Sequence, residues 1–472
     1  MSDLRVVKNS GTEAALGEAA VEEFGASLRG KLLRAGDDGY DEARKIWNGM
    51  IDGRPALIAR CSGAADVINC VSLARANDLL VAVRGGGHNI SGNAVCDGGL
   101  MIDLSGMKSV RVDPVSRTAR AEPGVIWGEF DGETQAFGLA TTGGQISTTG
   151  IAGLTLGGGW GWLGRKYGLA CDNLLSVDIV TSDGKLLTSS ATENEDLFWG
   201  IRGGGGNFGV VTSFEYQLHP VGLVLGGMLA YPFDIAKDVL KGYRDLMDTG
   251  PDELACNAVM TTMPDGTQVA AIGACYCGSI EKGERILRQL RGFRPVLMDQ
   301  IGPTSYTAMQ KAQDAFYPPG IQDYWKAGFL PGLSDEAIDT MVAYCANRPS
   351  PICQGGVEYQ LGGAVSRVGP GATAFNHRDA QYSFMAIGMC TDPAEAEKCI
   401  QWAREFWKAM QPFSTGGVYV NYLGREADEG SERVKAAYGP EKYQRLVALK
   451  NKYDPTNLFR LNQNIKPTAT RD

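Results

Sequence analysis

Short apolar runs alternate with helical spacing from Pro55 onward, and the pattern predicts a strand over PALIAR, a helix over 64–77 and a second strand over LLVAV at 79–83, a small βαβ unit. Strands follow at LMIDL (100–104), SVRVD (109–113) and RTARAE (117–122), separated by turn residues. A helix carrying Ile126 and Trp127 comes next. Residues 175–187 read as a strand pair around the Asp183-Gly184 turn, and FGVVTSFEYQL at 208–218 as one long strand. From about 221 to 414 the texture changes. Alternating strands near 223–232, 254–263, 268–277, 356–364 and 381–389 are interleaved with helices near 280–292, 334–346 and 392–410, which predicts an antiparallel sheet with helices on one face. The expected class is therefore α+β, with domains at 1–220 and 221–414 and a tail, 415–472, of short motifs and a helix near 440–452.

Composition narrows the function. The chain has 472 residues, 44% of them hydrophobic, enough for more than one substantial core, and it contains no apolar stretch of membrane-spanning length. A net charge of −9 with no basic run argues against nucleic acid and anionic membrane as partners. The first residues lack a secretory leader pattern, and eleven scattered cysteines suit reduced thiols, so a soluble cytoplasmic protein is expected. Glycine is the outlier at 63 residues, clustered in runs before residue 210. Such runs let backbone amides approach a ligand closely.

The first run directly follows a predicted strand: Arg84-Gly85-Gly86-Gly87-His88-Asn89-Ile90-Ser91-Gly92. Consecutive glycines there present unobstructed N–H groups suited to a diphosphate, with His88 placed to reach the ring system beyond it. Two further blocks are Gly143-Gly144-Gln145-Ile146-Ser147-Thr148-Thr149-Gly150, running on through Gly153 to Gly157-Gly158-Gly159-Trp160-Gly161, and Gly203-Gly204-Gly205-Gly206-Asn207-Phe208-Gly209. Both contain a literal G-x-G-x-x-G. The first leaves no room for the helix a nicotinamide site needs and the second feeds a strand, so a Rossmann domain is disfavoured. The other two histidines, His219 and His377, lack comparable surroundings.

RGGGHNISG at 84–92, LMIDLSGMKSVRVD at 100–113, GGGWGWLGRKYGLACDNL at 157–174, DLFWGIRGGGGNFGVVTSFE at 196–215 and NKYDPTNLFRLNQNI at 451–465 together resemble the berberine bridge enzyme-like branch of the FAD-linked oxidases, within the vanillyl-alcohol-oxidase or PCMH-type FAD-binding superfamily. The resemblance covers nearly the whole chain. It implies that 1–220 binds FAD, that 221–414 binds substrate and that 415–472 returns to the FAD domain. It further implies a covalent bond between His88 and the flavin. The cofactor residues it points to are Arg84, Gly85, Gly86, Gly87, Asn89, Ser91 and Gly92 around the first run. From the second block come Gly144, Thr148, Gly150, Gly153, Gly157, Gly158, Gly159 and Gly161, and from the remaining motifs Asn207, Gly209, Val211, Asn421, Asn462 and Gln463. Many relatives make a second bond through a cysteine where this chain has Ile146. Cys171 lies too far along, so a single tether is expected, and Thr149 stands where relatives control oxygen access.

The implied reaction moves a hydride from a small organic substrate to FAD, and oxygen takes the electrons to give hydrogen peroxide. Relatives often place a base at the position of Met385, which cannot serve. Tyr419 and Tyr422 then become the catalytic candidates, with Asn421 orienting them and Lys326, in Tyr324-Trp325-Lys326, as the cation that would activate a phenol, weighed against an ordinary solvated charge. Asp103, Asp172 and Asn173 are expected to make turn and strand-end hydrogen bonds, and Trp160 to shape the pocket. An amine, alcohol or hemiacetal is the expected substrate, aromatic or alkaloid-like. A dehydrogenase with another acceptor and a flavin-binding protein without turnover are the competing readings. No metal is expected, and the assembly is left open between monomer and homodimer.

Overall fold

The structure, a computed structural model, describes residues 3–424 and 429–468, with the side chains of 358–360 excepted. A four-stranded sheet near the amino terminus runs in the order Lys31–Leu33, Leu57–Arg60, Leu100–Asp103, Val81–Arg84. Its last three strands are parallel. The βαβ unit expected from the pattern is present as Leu57–Arg60, helix Ala64–Asn77 and Val81–Arg84, but its two strands are not neighbours: Leu100–Asp103 is inserted between them. All four residues of that inserted strand are buried, which is the position a central parallel strand requires.

A five-stranded antiparallel sheet follows, in the order Leu186–Ser190, Leu174–Thr181, Gly209–Gln217, Thr118–Ala121, Val110–Asp113. The third sheet has eight strands. Its path is Met298–Asp299, Val224–Pro232, Gln268–Tyr276, Leu254–Thr262, Gln354–Gln360, Tyr382–Cys390, Gln322–Leu330, with Gly302–Thr304 also paired to Val224–Pro232. Gln322–Leu330 was not foreseen as a strand. Its polar Asp323 and Lys326 break the apolar alternation, yet both are buried, Lys326 against Glu429 far along the chain and Asp323 beneath Trp325.

Side chains alternate across this third sheet, so its two faces differ. One buries Leu229, Tyr231, Ile272, Met260, Phe384 and Ala386 against helices Ala236–Thr249, Asp335–Ala346 and Ala396–Met410. In the last helix Cys399, Trp402, Ala403, Phe406 and Met410 are the buried positions, the three- and four-residue spacing of a single apolar stripe. Strand registers bring Ala230, Ala271, Val259, Gly356, Met385 and Ala327 in line across the other face. The tail packs back against the five-stranded sheet: Val418, Tyr419, Leu423, Leu446 and Ile465 share a core with Val177, Phe208 and Phe214. No helix among the described residues is long and apolar enough to cross a membrane.

Candidate active site

The strand Val81–Arg84 delivers Gly85–Asn89 to the middle of the molecule, where two loops touch backbone to backbone. A β-carbon on Gly86 would lie 2.5 Å from the backbone of Gly150, and one on Gly85 2.9 Å from the Pro123 carbonyl oxygen. Gly87, at φ +72°, makes the turn that sets the next residue, and a side chain there would be strained. That residue, His88, lies half-buried with Trp47 stacked on its ring at 5.2 Å and 21°. Thr148 Oγ1 is 3.0 Å from its Nε2 and Thr149 Oγ1 3.5 Å from its Nδ1. Burial pushes the imidazole pKa down to about 4, which leaves the ring unprotonated near neutrality.

Two cavities meet at this loop. The first, about 210 Å³, is walled by His88, Trp47, Ile146, Trp160, Tyr317, Trp325, Tyr419 and Tyr422, and among the described residues no Asp, Glu, Lys or Arg lines it. The second, about 170 Å³, shares Val83, Gly85, Asn89, Ala94, Gly153 and Asn421 with the first and continues to Gly205, Gly206, Gly209, Phe459, Asn462 and Gln463. Together they form one trough, aromatic at one end and rich in backbone and side-chain amides at the other. An extended dinucleotide with a flat ring system has this division of chemistry. Asn462 Oδ1, buried without a protein partner, offers an acceptor at the amide-rich end.

The far wall is held by buried charge. Lys450 Nζ donates to Asp454 Oδ2 at 2.7 Å, to Asn207 O at 2.8 Å and to Phe459 O at 3.0 Å, while Asp454 accepts the amides of Leu458 and Phe459. Asn207 Oδ1 accepts from Ile465 N at 2.9 Å and its amide donates to Gln463 O. The glycine block at 203–209 and the final motif are thereby tied into one wall.

At the aromatic end, Tyr419 stacks on Trp160 at 3.8 Å, and its phenolic oxygen accepts hydrogen bonds from Gly159 N at 2.9 Å and Asn421 Nδ2 at 2.7 Å. Two donors on one phenol oxygen favour negative charge there. Tyr422 lies against Trp160, Tyr419 and Trp325. The predicted Tyr419, Tyr422 and Asn421 are thus brought together, but Lys326 is not with them. Lys326 and Trp325 are neighbours on one strand and point to opposite faces: Trp325 enters the cavity, and Lys326 forms an ion pair with Glu429 at 2.6 Å, with 1% and 2% of the two side chains exposed. Neither activating cation nor solvated surface charge describes it. Met385 lies beside Tyr317 and Gln354 in a small adjoining cleft.

Several residues expected to line the cofactor site stand one layer behind it. A β-carbon on Gly161 would fall 1.6 Å from Gly143 O, one on Gly157 2.1 Å from Asn421 Oδ1 and one on Gly158 2.6 Å from the Phe375 ring. Gly159 supplies the amide to Tyr419 and Gly92 packs under Ile51. Arg84 donates to Ala43 O, Ser91 to Asn89 Oδ1, and Thr148 reaches the site only through His88. Asn207 acts through the wall just described, and Val211 does line the second cavity. Asp172 receives both guanidinium nitrogens of Arg378, Asn173 Oδ1 meets His219 Nε2 at 2.6 Å, and Asp103 caps Ser105 N at 3.0 Å. His377 Nε2 donates to Ala436 O. Trp47 and Gln313 went unread, because nothing in their local spacing sets them apart.

Comparison with known proteins agrees with this trough. Residues 55–190 match the family model described as FAD binding domain, and residues 418–466 the one described as berberine and berberine like. The (R)-6-hydroxynicotine oxidase of Paenarthrobacter nicotinovorans is 33% identical over 460 residues, 94% of this chain and 98% of its own length. An FAD-linked oxidoreductase of Dictyostelium discoideum is 32% identical over 95% of this chain and 97% of its own. The crystal structure of 6-hydroxy-D-nicotine oxidase from Arthrobacter nicotinovorans superposes with a TM-score of 0.86 at 32% identity, covering 94% of this chain and 99% of that one. Physcomitrella patens BBE-like 1 gives 0.86 at 25% identity, over 95% of this chain and 100% of that one. The chain therefore belongs to the berberine bridge enzyme-like FAD-linked oxidoreductases, of the PCMH-type FAD-binding superfamily, and is an FAD-dependent enzyme.

Proposed function

We propose that the protein is an oxidase that holds FAD through one covalent bond to His88 and takes a hydride from a carbon bearing an amine or hydroxyl group in a small aromatic molecule. The observation that carries this reading is the position of His88 on the wall of the aromatic cavity, stacked on Trp47 and held by Thr148 and Thr149, directly beside Asn89, which lines both halves of the trough. An unprotonated imidazole nitrogen is the form able to bond to carbon. Ile146, in the same cavity, has no thiol to make a second bond, and Cys171 is fully buried elsewhere. Bound FAD supplies the hydride acceptor and passes the electrons to dioxygen, which leaves as hydrogen peroxide.

The chain supplies the rest. Trp160, Trp325, Tyr317 and Tyr422 give a flat substrate ring faces and edges to pack against. An uncharged lining makes an anionic substrate costly to desolvate, whereas an amine is compatible with aromatic faces until it loses its proton. We assign that proton to Tyr419, which enters the step as the phenolate, the form on which the two donors Gly159 N and Asn421 Nδ2 converge, and leaves it as the neutral phenol. Asn421 is its positioning residue. The (R)-6-hydroxynicotine oxidase relative, named for a small organic substrate, supports this class.

Acid precipitation tests the tether: the wild-type pellet is expected to be yellow and the His88→Ala pellet white. Anaerobic mixing with panels of arylalkyl amines and benzylic alcohols, which carry a hydrogen on the carbon bearing the heteroatom, tests turnover, with bleaching expected for some members and colour returning within seconds in air as peroxide appears. Complete release of flavin from intact protein overturns the tether. Failure of every amine and alcohol to bleach overturns the substrate class, and colour that stays bleached in air means an acceptor other than oxygen.

A further inference from the structure

Beyond the aromatic cavity, the face of the eight-stranded sheet turned away from its covering helices carries a second chamber. Strand registers define that face: Trp325 lies opposite Ile387, Ile387 opposite Gln354, Gly356 opposite Val259, Val259 opposite Ala271, and Ala271 opposite Ala230. The aromatic cavity takes its wall from the Trp325 end. The Met228, Ala230, Thr261, Val269 and Ala271 end forms a chamber of about 290 Å³, larger than the aromatic one. Gln313 lines both, and Phe316 and Tyr317 stand side by side, one in each. The segment carrying them is pinned by Ser147, whose amide and hydroxyl donate to Asp314 at 2.8 and 2.6 Å.

The chemistry of this chamber is different from that of its neighbour. Its floor is small and apolar: Ala230, Val269 and Ala271 are 1%, 1% and 5% exposed. Its walls are methionines, with Met228, Met263 and Met298 half-buried and Met309 buried, and no charged residue lines it. On the opposite face of these strands, bulky residues fill the space against helices. Here small side chains leave it open. Unbranched thioethers follow the shape of an apolar guest without imposing one, and they offer it no hydrogen bonds.

We propose that this chamber is a second substrate subsite, which takes an uncharged hydrocarbon tail of a molecule whose oxidisable aromatic group occupies the cavity at His88 and Tyr419. The proposal rests on the flavoenzyme reading above for the identity of the head group, and on the sheet geometry alone for the tail. The substrate class it names is a benzylic amine or benzylic alcohol whose ring bears an alkyl or prenyl chain. Gln313 lines both spaces, one residue before Asp314, which Ser147 holds in place, and the head and tail would meet there.

Calorimetric titration of the purified holoenzyme, kept anaerobic, with 4-ethylbenzyl alcohol, 4-butylbenzyl alcohol and 4-hexylbenzyl alcohol tests it. Burial of each methylene is expected to tighten binding about fourfold, so that across the four added methylenes the hexyl compound binds roughly 250-fold more tightly than the ethyl one. Ala271→Phe, which fills the floor, and Met263→Glu, which charges the rim, are each expected to bring that ratio below about tenfold. Met263 is half-exposed, so Met263→Glu decides the matter if Ala271→Phe does not fold. A wild-type ratio near one, or a ratio that survives in the folded variants, overturns the subsite. Because heat is read and not colour, a colourless protein that keeps the chain-length ratio defeats the flavin reading alone. A yellow protein bleached by benzylic amines but indifferent to chain length defeats the subsite alone.

Discussion

The two halves of the trough are built from different materials. Around Gly85, Gly153, Gly205 and Gly206 the lining presents glycine backbone and the amides of Asn89, Asn93, Asn421, Asn462 and Gln463 among small and aliphatic side chains. At the other end Trp47, Tyr317, Trp325, Tyr419 and Tyr422 arrive as side chains from segments hundreds of residues apart. A backbone wall demands glycine in continuous runs, since any β-carbon would close it. A side-chain wall demands only that some residue at each position be the right shape. The first kind of site tolerates little change in sequence and serves one ligand. The second can be rewritten position by position, which is where substrate choice resides.

His88 lines the aromatic end and adjoins Asn89, which lines both halves, and removing it gives the largest expected effect. His88→Ala should abolish flavin that survives denaturation, read as absorbance of the acid-precipitated pellet. A yellow His88→Ala pellet would break the comparison at its junction, because the ring end would then be fastened by something else.

Next in size is the backbone end, attacked at one remove. Lys450 and Asp454 are both fully buried, and burial lowers the Lys450 pKa while its three oxygen partners hold the charge. Lys450→Met strands the Asp454 carboxylate and should destabilise the fold by about 3–5 kcal/mol, measured as a lower urea midpoint at unchanged slope. The aromatic end should answer differently. Tyr419→Phe keeps the stack on Trp160 but removes the oxygen that Gly159 and Asn421 address. We expect kcat/KM to fall about a hundredfold, equivalent to about 2.7 kcal/mol, with the urea midpoint little changed. If Tyr419→Phe instead unfolds the protein while activity per folded molecule holds, the side-chain wall is structural and the division fails.

The same division explains what could be read from the chain. Glycine runs announced the cradle, but they report only that backbone approaches something. Gly85 and Gly153 approach the trough, whereas Gly161 approaches Gly143 and Gly158 the Phe375 ring, and spacing does not separate the cases. The alternating strands at Leu254–Thr262 and Gln268–Tyr276 were legible because one face packs on helices. Gln322–Leu330 was not, because Lys326 and Asp323 owe their burial to Glu429 and to the wall around Trp325, neither visible locally. Because that stretch was not read as a strand, its two-residue period, which turns Lys326 away from Trp325 and the cavity, went unused. Trp47 has no periodic context at all, and only the fold stacks it on His88.

The smallest effect concerns the support beneath the aromatic wall. Trp325 Nε1 donates to Asp323 Oδ1, and Asp323 Oδ2 is buried without a partner. Burial pushes this carboxyl up to about 8, against about 3.9 for an unfolded aspartate. Between those values the folded chain holds a proton that the unfolded chain releases, so stability is fully present below the unfolded value and declines as pH rises toward 8. Asp131, raised to about 7 by burial, adds a decline of the same sign. Asp323→Asn keeps an oxygen for the indole and cannot ionise, so its Tm minus that of wild type should grow by a few degrees from pH 5 to pH 8. A Tm difference that stays flat across that interval would mean Asp323 is already ionised in the fold. The indole of Trp325 would then be held by a charge instead of a neutral acid, and the uncharged character assigned to the aromatic end would stop at its lining.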